Sequence, residues 1–304
     1  MTVINSDTAG VTLTCEATSA GGTASQSVTI KRDANPPTIN GNAAPPPNGN
    51  SWNNSDVTIT FNCADELSGI AACGPDQTLS SDGANQSVTG TAKDNAGNTA
   101  STTVSGINLD KTLPTVSVTG ITDGATYSLG QVPAGGCDTQ DDLSEVATQA
   151  TFSLSGGNAN GVGSFTATCD GASDNASNSG FANVTYQVIY ISNGFFAPVD
   201  NPPAVNSVKA GQAIPVKFSL NGDQGLDIFE SGYPKSQDIA CDLSGEISDI
   251  EETVNAGDSS LSYDASSDQY NYVWKTKKDW AGSCRQFVLR LNDGTEHTAN
   301  FNFK

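Results

Sequence analysis

Apolar and polar residues alternate in short runs along this chain, and no long stretch repeats apolar residues at helical spacing. Val57-Thr-Ile-Thr-Phe-Asn-Cys63 places Val57, Ile59, Phe61 and Cys63 on one face of a strand. Val11-Thr-Leu-Thr-Cys15 and Phe165-Thr-Ala-Thr-Cys169 alternate in the same way, and each ends on an inward cysteine. Both are followed by a small-residue turn region, at 17–23 and 171–178, and then by a closing strand, Ser27-Val-Thr-Ile30 or Asn183-Val-Thr-Tyr186. Gln86-Ser-Val-Thr-Gly-Thr-Ala92 leads into the turn Asp94-Asn-Ala-Gly-Asn98, with Ala92 at the place the other two give to cysteine. In Ile214-Pro-Val-Lys-Phe-Ser-Leu220 the apolar residues share one face, and Pro215, which has no N–H to donate, predicts a sheet edge. The pattern predicts an all-β fold of tandem antiparallel β-sandwiches.

The punctuation between these runs divides the chain. Asp33-Ala-Asn-Pro-Pro37-Thr38 and Asp110-Lys-Thr-Leu-Pro114-Thr115 each place an Asp four residues before Pro-Thr, directly after a closing strand. Proline stiffens such a joint and blocks edge pairing. The expected divisions are 1–35, the C-terminal half of a truncated domain; 36–112 and 113–189, whole domains; and 190–304, a last sandwich. Residues 1–35 match the back half of 113–189. They supply Val11, Leu13, Val28 and Ile30 with no facing sheet, so they are expected to be disordered or completed by another chain.

Cysteine usage sharpens this picture. Of seven cysteines, the six after Cys15 fall into neighbours, Cys63/Cys73, Cys137/Cys169 and Cys241/Cys284. Many other pairings are open to a sequence reading, but this one places one bridge in each domain and leaves Cys15 unpaired. Bridges persist in oxidising compartments, so an extracellular or cell-surface chain is expected. Residues 1–7 have neither the basic start nor the apolar run of a signal peptide, and the expectation is a fragment of a longer secreted precursor. The formal net charge of −20 argues against nucleic acid as a partner, and no apolar run is long enough for membrane insertion.

With these elements placed, Asp65-Glu-Leu-Ser-Gly69, Thr91-Ala-Lys-Asp-Asn-Ala-Gly-Asn98 and Ile107-Asn-Leu-Asp-Lys-Thr-Leu-Pro-Thr115 resemble immunoglobulin-like repeats strung along large secreted bacterial proteins. Residues from about 194 onward resemble the PxKF domain through Gly194-Phe-Phe-Ala-Pro-Val-Asp-Asn-Pro-Pro203, Ala213-Ile-Pro-Val-Lys-Phe218, Trp274-Lys-Thr276 and Trp280-Ala-Gly-Ser-Cys284. The resemblance implies immunoglobulin-like sandwiches capped by a PxKF-type sandwich, with no active site to carry over. It also implies calcium at the joints of the array.

Candidate chemistry is sparse. Asp65, Glu66, Asp94 and Asp110 fall in loops expected to converge at sandwich ends, where a hard cation such as calcium could take their oxygens. Ordinary turn chemistry of Asp is the competing reading. Tyr270, Tyr272 and Trp274 alternate along one strand and, with Trp280 in a polar loop, could stack on the rings of an extracellular polysaccharide; core packing is the competing reading. His297 is the single histidine, and no nucleophile, zinc or phosphate-loop motif occurs. The acid pairs Asp141-Asp142 and Glu251-Glu252 put their members on opposite strand faces, which suits solvated turns better than a glycosidase. The expectation is a non-catalytic extracellular stalk that displays or spaces another element. A carbohydrate-binding accessory module of a secreted hydrolase is the second reading, and a fibre subunit self-associating by strand complementation is the third.

Overall fold

The computed structural model describes residues 2–242, 250–252 and 261–304, with residues 250–252 described by their backbone. The fold is all-β, with several antiparallel sheets and one 3-10 turn among the described residues. Two compact units divide the chain: Met1–Val116 with Thr139–Ala150 and Gly171–Gly180, and Ser117–Asp138 with Thr151–Asp170 and Phe181–Lys304. The division falls within the strands that lie between 115 and 189.

The first unit opens with a hairpin of β1 (Thr8–Ser19) and β2 (Gly22–Arg32). The expectation of disorder at 1–35 meets an ordered ladder here, tied at its base by Arg32 to Asp7 at 2.6 Å and by the Ala34 amide to the same carboxylate. Next come β3 (Thr38–Ala44), β4 (Val57–Ala64), β5 (Ile70–Cys73), β6 (Gln77–Leu79), β7 (Gly83–Asp94) and β8 (Thr99–Leu109). They form two three-stranded sheets, ordered β3-β4-β6 and β5-β7-β8. The alternation of β4 turns Val57, Ile59 and Phe61 inward onto Val88 of β7 and Ile107 of β8. Gly90 is needed for that contact, because a Cβ there would lie 2.5 Å from the Phe61 ring. Cys63 and Cys73 bridge β4 to β5 across the two sheets.

Between 115 and 189 the same plan recurs in β9 (Thr115–Thr119), β10 (Thr126–Ser128), β11 (Gly136–Gln140), β12 (Val146–Thr148), β13 (Thr151–Gly156), β14 (Gly163–Asp174) and β15 (Ser179–Ile189). β14 carries β15 on one side and both β12 and β13 on the other, while β9 pairs with β11. Cys169 of β14 is fully buried and bridged to Cys137 of β11.

The remaining strands are β16 (Phe195–Phe196), β17 (Val205–Val208), β18 (Ala213–Phe218), β19 (Lys235–Ile239), β20 (Ile250–Glu252), β21 (Ser262–Asp264), β22 (Gln269–Lys275), β23 (Cys284–Arg290) and β24 (Glu296–Phe303). They make sheets ordered β16-β18-β22-β21 and β17-β24-β23-β19-β20. Ile214, Val216 and Phe218 of β18 face inward, and Pro215 and Lys217 face the other way. β16 pairs only with Lys217 and Phe218, which leaves the Pro215 end of β18 as an edge on that side, as a missing N–H requires. One apolar cluster joins this part to Tyr186, Val188 and Tyr190 within the second unit. Cys241 and Cys284 are bridged, so the structure holds three disulfides and one free, exposed thiol, Cys15. The bridges call for an oxidising environment. Among the described residues, no helix is long and apolar enough to cross a membrane.

Gly90→Ala should destabilise the 36–112 core by about 1–3 kcal/mol, because the Phe61 ring must give way to a methyl group in a packed interior. Denaturant unfolding of the variant checks this, and an unchanged midpoint would contradict the contact.

Candidate functional site: two matching carboxylate joints

Each linker begins with a carboxylate that reaches forward into the next loops. Asp33 accepts the Asn35 amide at 3.0 Å and the Ser68 amide at 3.1 Å. Asp110 accepts the Thr112 amide at 3.0 Å and the Ser144 amide at 3.1 Å. In the loop after β4, Asp65 caps the amides of Leu67, Ser68 and Gly69; after β11, Asp141 caps those of Leu143 and Ser144. Aspartate side chains commonly close such turns on their own backbone.

The hairpin turns complete both joints. Asp94 takes the Asn98 amide at 2.8 Å and its side-chain Nδ2 at 2.7 Å, and Asp174 takes Asn178 at the same two distances. The same Nδ2 donates onward to the linker backbone, from Asn98 to the carbonyls of Asp33 and Asn35 and from Asn178 to those of Asp110 and Thr112. Asn95 and Asn175 likewise donate their side chains to the carbonyls of Ser68 and Ser144. The turns need one residue in the left-handed region, filled by Gly97 in the first and Ser177 in the second. The second joint has further ties. Lys111 pairs with Asp56 at 2.7 Å, and Asn48 donates to the Asn175 carbonyl and the Ser177 hydroxyl.

The result is two acidic clusters, Asp33–Asp65–Asp94 and Asp110–Asp141–Asp174, each with carboxylate oxygens within 4.8 Å of one another. Asp94, Asp110 and Asp174 are buried, and among the described residues no lysine or arginine pairs with any of the six. Three carboxylates this close repel one another, and a cation among them would relieve that repulsion. The all-oxygen donor set suits a hard divalent ion, with backbone carbonyls or water completing its shell. The Asp65 carboxyl feels desolvation that would raise its pKa, yet the amides of Gly69, Ser68 and Leu67 together hold it below its ordinary value.

The expected ligand set is therefore rearranged. Asp65 and Asp94 do meet, but Asp33 joins them in place of Glu66, which is exposed outside the cluster. Asp110 belongs to the other joint, with Asp141 and Asp174. The missing members were visible as repeats, since Asp65-Glu-Leu-Ser68 matches Asp141-Asp-Leu-Ser144 and Asp94-Asn-Ala-Gly-Asn98 matches Asp174-Asn-Ala-Ser-Asn178.

The proposed aromatic platform has no free ring face. Tyr270, Tyr272, Trp274 and Trp280 are all buried. Trp274 packs against Phe287 and Phe301 at 5.0 Å between centroids, and Trp280 against Phe303 at 5.5 Å. The polar loop around Trp280 folds the ring inward and stacks the Arg285 guanidinium on it, 4.0 Å from the centroid. His297 is half-buried on β24, and burial lowers its pKa. Asp141 of one acid pair serves the second joint, while the side chains of Glu251 and Glu252 lie outside the described residues.

Comparison with known proteins finds no family model that matches this chain and no matching curated protein.

Two outcomes follow from the joint geometry. Asn178→Ala leaves two linker carbonyls and one Asp174 oxygen without their donor, so it should cost about 1–3 kcal/mol. Amide exchange at Thr112 and Ser144 should accelerate in the variant, and unaltered protection there would refute the latch. Asp65 stabilises the fold above the unfolded carboxylate pKa and loses that contribution as pH falls through its lower folded value. A carboxyl titration followed by NMR should give a midpoint below 3.8.

Proposed function

We propose that this chain is a non-catalytic structural segment of an extracellular protein. In this reading it is built of immunoglobulin-like repeats followed by a PxKF-type domain, and it spaces or displays another element. The observation that carries the reading is the duplicated joint. Two linkers make the same hydrogen bonds to the same loop positions, so the connection between repeats is itself a repeated structural part. Flexible linkers between independent domains lack such fixed partners. The burial of Tyr270, Tyr272, Trp274 and Trp280 removes the main support for a polysaccharide-binding module.

A hard divalent cation, calcium foremost, completes the joints in this proposal. Asp33, Asp65 and Asp94 would hold one ion, and Asp110, Asp141 and Asp174 another. Bound there, it would offset two of the three converging negative charges and tie linker, loop and hairpin turn together.

Calcium at a hundredfold excess over its dissociation constant should add about 2.7 kcal/mol per site by mass action. The melting temperature should therefore rise between chelator and millimolar calcium. Asp110→Asn with Asp174→Asn should remove the share of the second joint and leave that of the first. Melting curves that coincide with and without calcium would eliminate the cation and leave the hydrogen-bonded latch alone.

A further inference from the structure

The residue directly after each closing strand marks a seam. β2 is followed by Asp33, β8 by Asp110 and β15 by Tyr190. At the first two seams that residue offers a carboxylate to the loops ahead; at the third it offers an aromatic ring and a hydroxyl. The direction of the bond reverses with it. The Asp110 amide donates back to the Asn53 carbonyl at 2.9 Å, whereas the Tyr190 amide donates forward to the Asp293 carboxylate at 2.7 Å. The acid at the third seam therefore comes from the sandwich that follows.

Asp293 lies in the turn between β23 and β24 and is 1% exposed. Its second oxygen takes the Thr295 amide at 2.8 Å and the Thr295 hydroxyl at 2.6 Å, and its carbonyl takes the Gln187 side chain at 2.6 Å. The Tyr190 hydroxyl donates to Asn292 Oδ1 at 3.0 Å and accepts from Asn160 Nδ2 at 2.8 Å. Asn160 and Asn292 each donate to the Asp227 carbonyl as well. Below these bonds the core is continuous: one apolar cluster holds Val162 and Tyr190 from the repeat side together with Ile228 and Leu291 from the other. Neighbouring domains move and unfold separately where their contact is small and polar. A core shared across a seam is different, because unfolding either side exposes apolar surface on both.

We infer that Ser117–Asp138, Thr151–Asp170 and Phe181–Lys304 fold and unfold as one cooperative body, welded through Tyr190 and Asp293. The C-terminal sandwich is then the end piece of the last repeat, fixed to it by a shared core and a buried carboxylate, and whatever that sandwich carries is held in one orientation to the repeat.

Hydrogen exchange read by mass spectrometry on the 304-residue chain, with its three bridges intact and denaturant rising, tests this. Amides of β14 at 163–170 and of β23 at 284–290 should lose protection at one common midpoint. Asp293→Ala removes the acceptor of the Tyr190 amide; it should lower both midpoints equally and speed exchange in β14 at least tenfold. Asn160→Ala, a milder change made on the repeat side, should lower the β23 midpoint together with that of β14. The midpoint of β7 should stay in place in both variants. If Asp293 served only its own turn, its loss would shift β23 alone, and that result would overturn the weld. Separate midpoints for β14 and β23 in the unaltered chain would do the same, as would an Asn160→Ala chain in which β23 is unmoved or a β7 midpoint that travels with the others.

Discussion

Most apolar rows among the described residues lie on one side of a strand, so each such row must meet another row or stay wet. That single requirement organises the molecule. Val57, Ile59 and Phe61 meet Val88 and Ile107, and Gly90 exists because the Phe61 ring occupies the space its side chain would need. The aromatic-rich C-terminal strands satisfy the same demand with larger residues, closing Trp274 among Phe287, Phe301 and Phe303. Where repeats are small, disulfides add to what their modest cores supply, and chain-entropy reasoning puts a native bridge at about 2–4 kcal/mol.

Polar chemistry takes over where the rows end. Turn and linker amides must find acceptors, and Asp and Asn side chains supply them at positions no ladder reaches. The consequence is electrostatic: satisfying amides with carboxylates gathers negative charge at each joint. The second joint, with Asp110 and Asp174 both buried, concentrates that charge further from solvent than the first, where only Asp94 is buried. The same residues that stop the backbone from fraying thereby create a demand for positive charge.

Much of this was legible from residue order because alternation survives folding unaltered. The inward faces of 57–63, 86–92 and 214–220, and Ala92 at a bridging position, follow from a period of two alone. The joints were legible only in part. Loop residues have no period, so Glu66 looked as suitable as Asp65, although its backbone position turns it outward and leaves the cluster to Asp33. Internal repetition was the better guide, because Asp141 and Asp174 occupy the sequence places of Asp65 and Asp94. Trp280 misled for a related reason: its neighbours are polar, but polarity of neighbours says nothing about where a 3-10 turn aims one ring.

The joint is also an instruction about how such a chain can change in length. Segments 1–35 and 36–112 each carry the emitting half of a latch toward the C-terminal end, Asp33 or Asp110, and the receiving half, Ser68 with Asn98 or Ser144 with Asn178, belongs to the segment that follows. Emitter and receiver are matched by class rather than by individual. Copying or excising 36–112 therefore restores a complete latch at the new seam without any compensating substitution. Reach could then be adjusted in steps of one such segment.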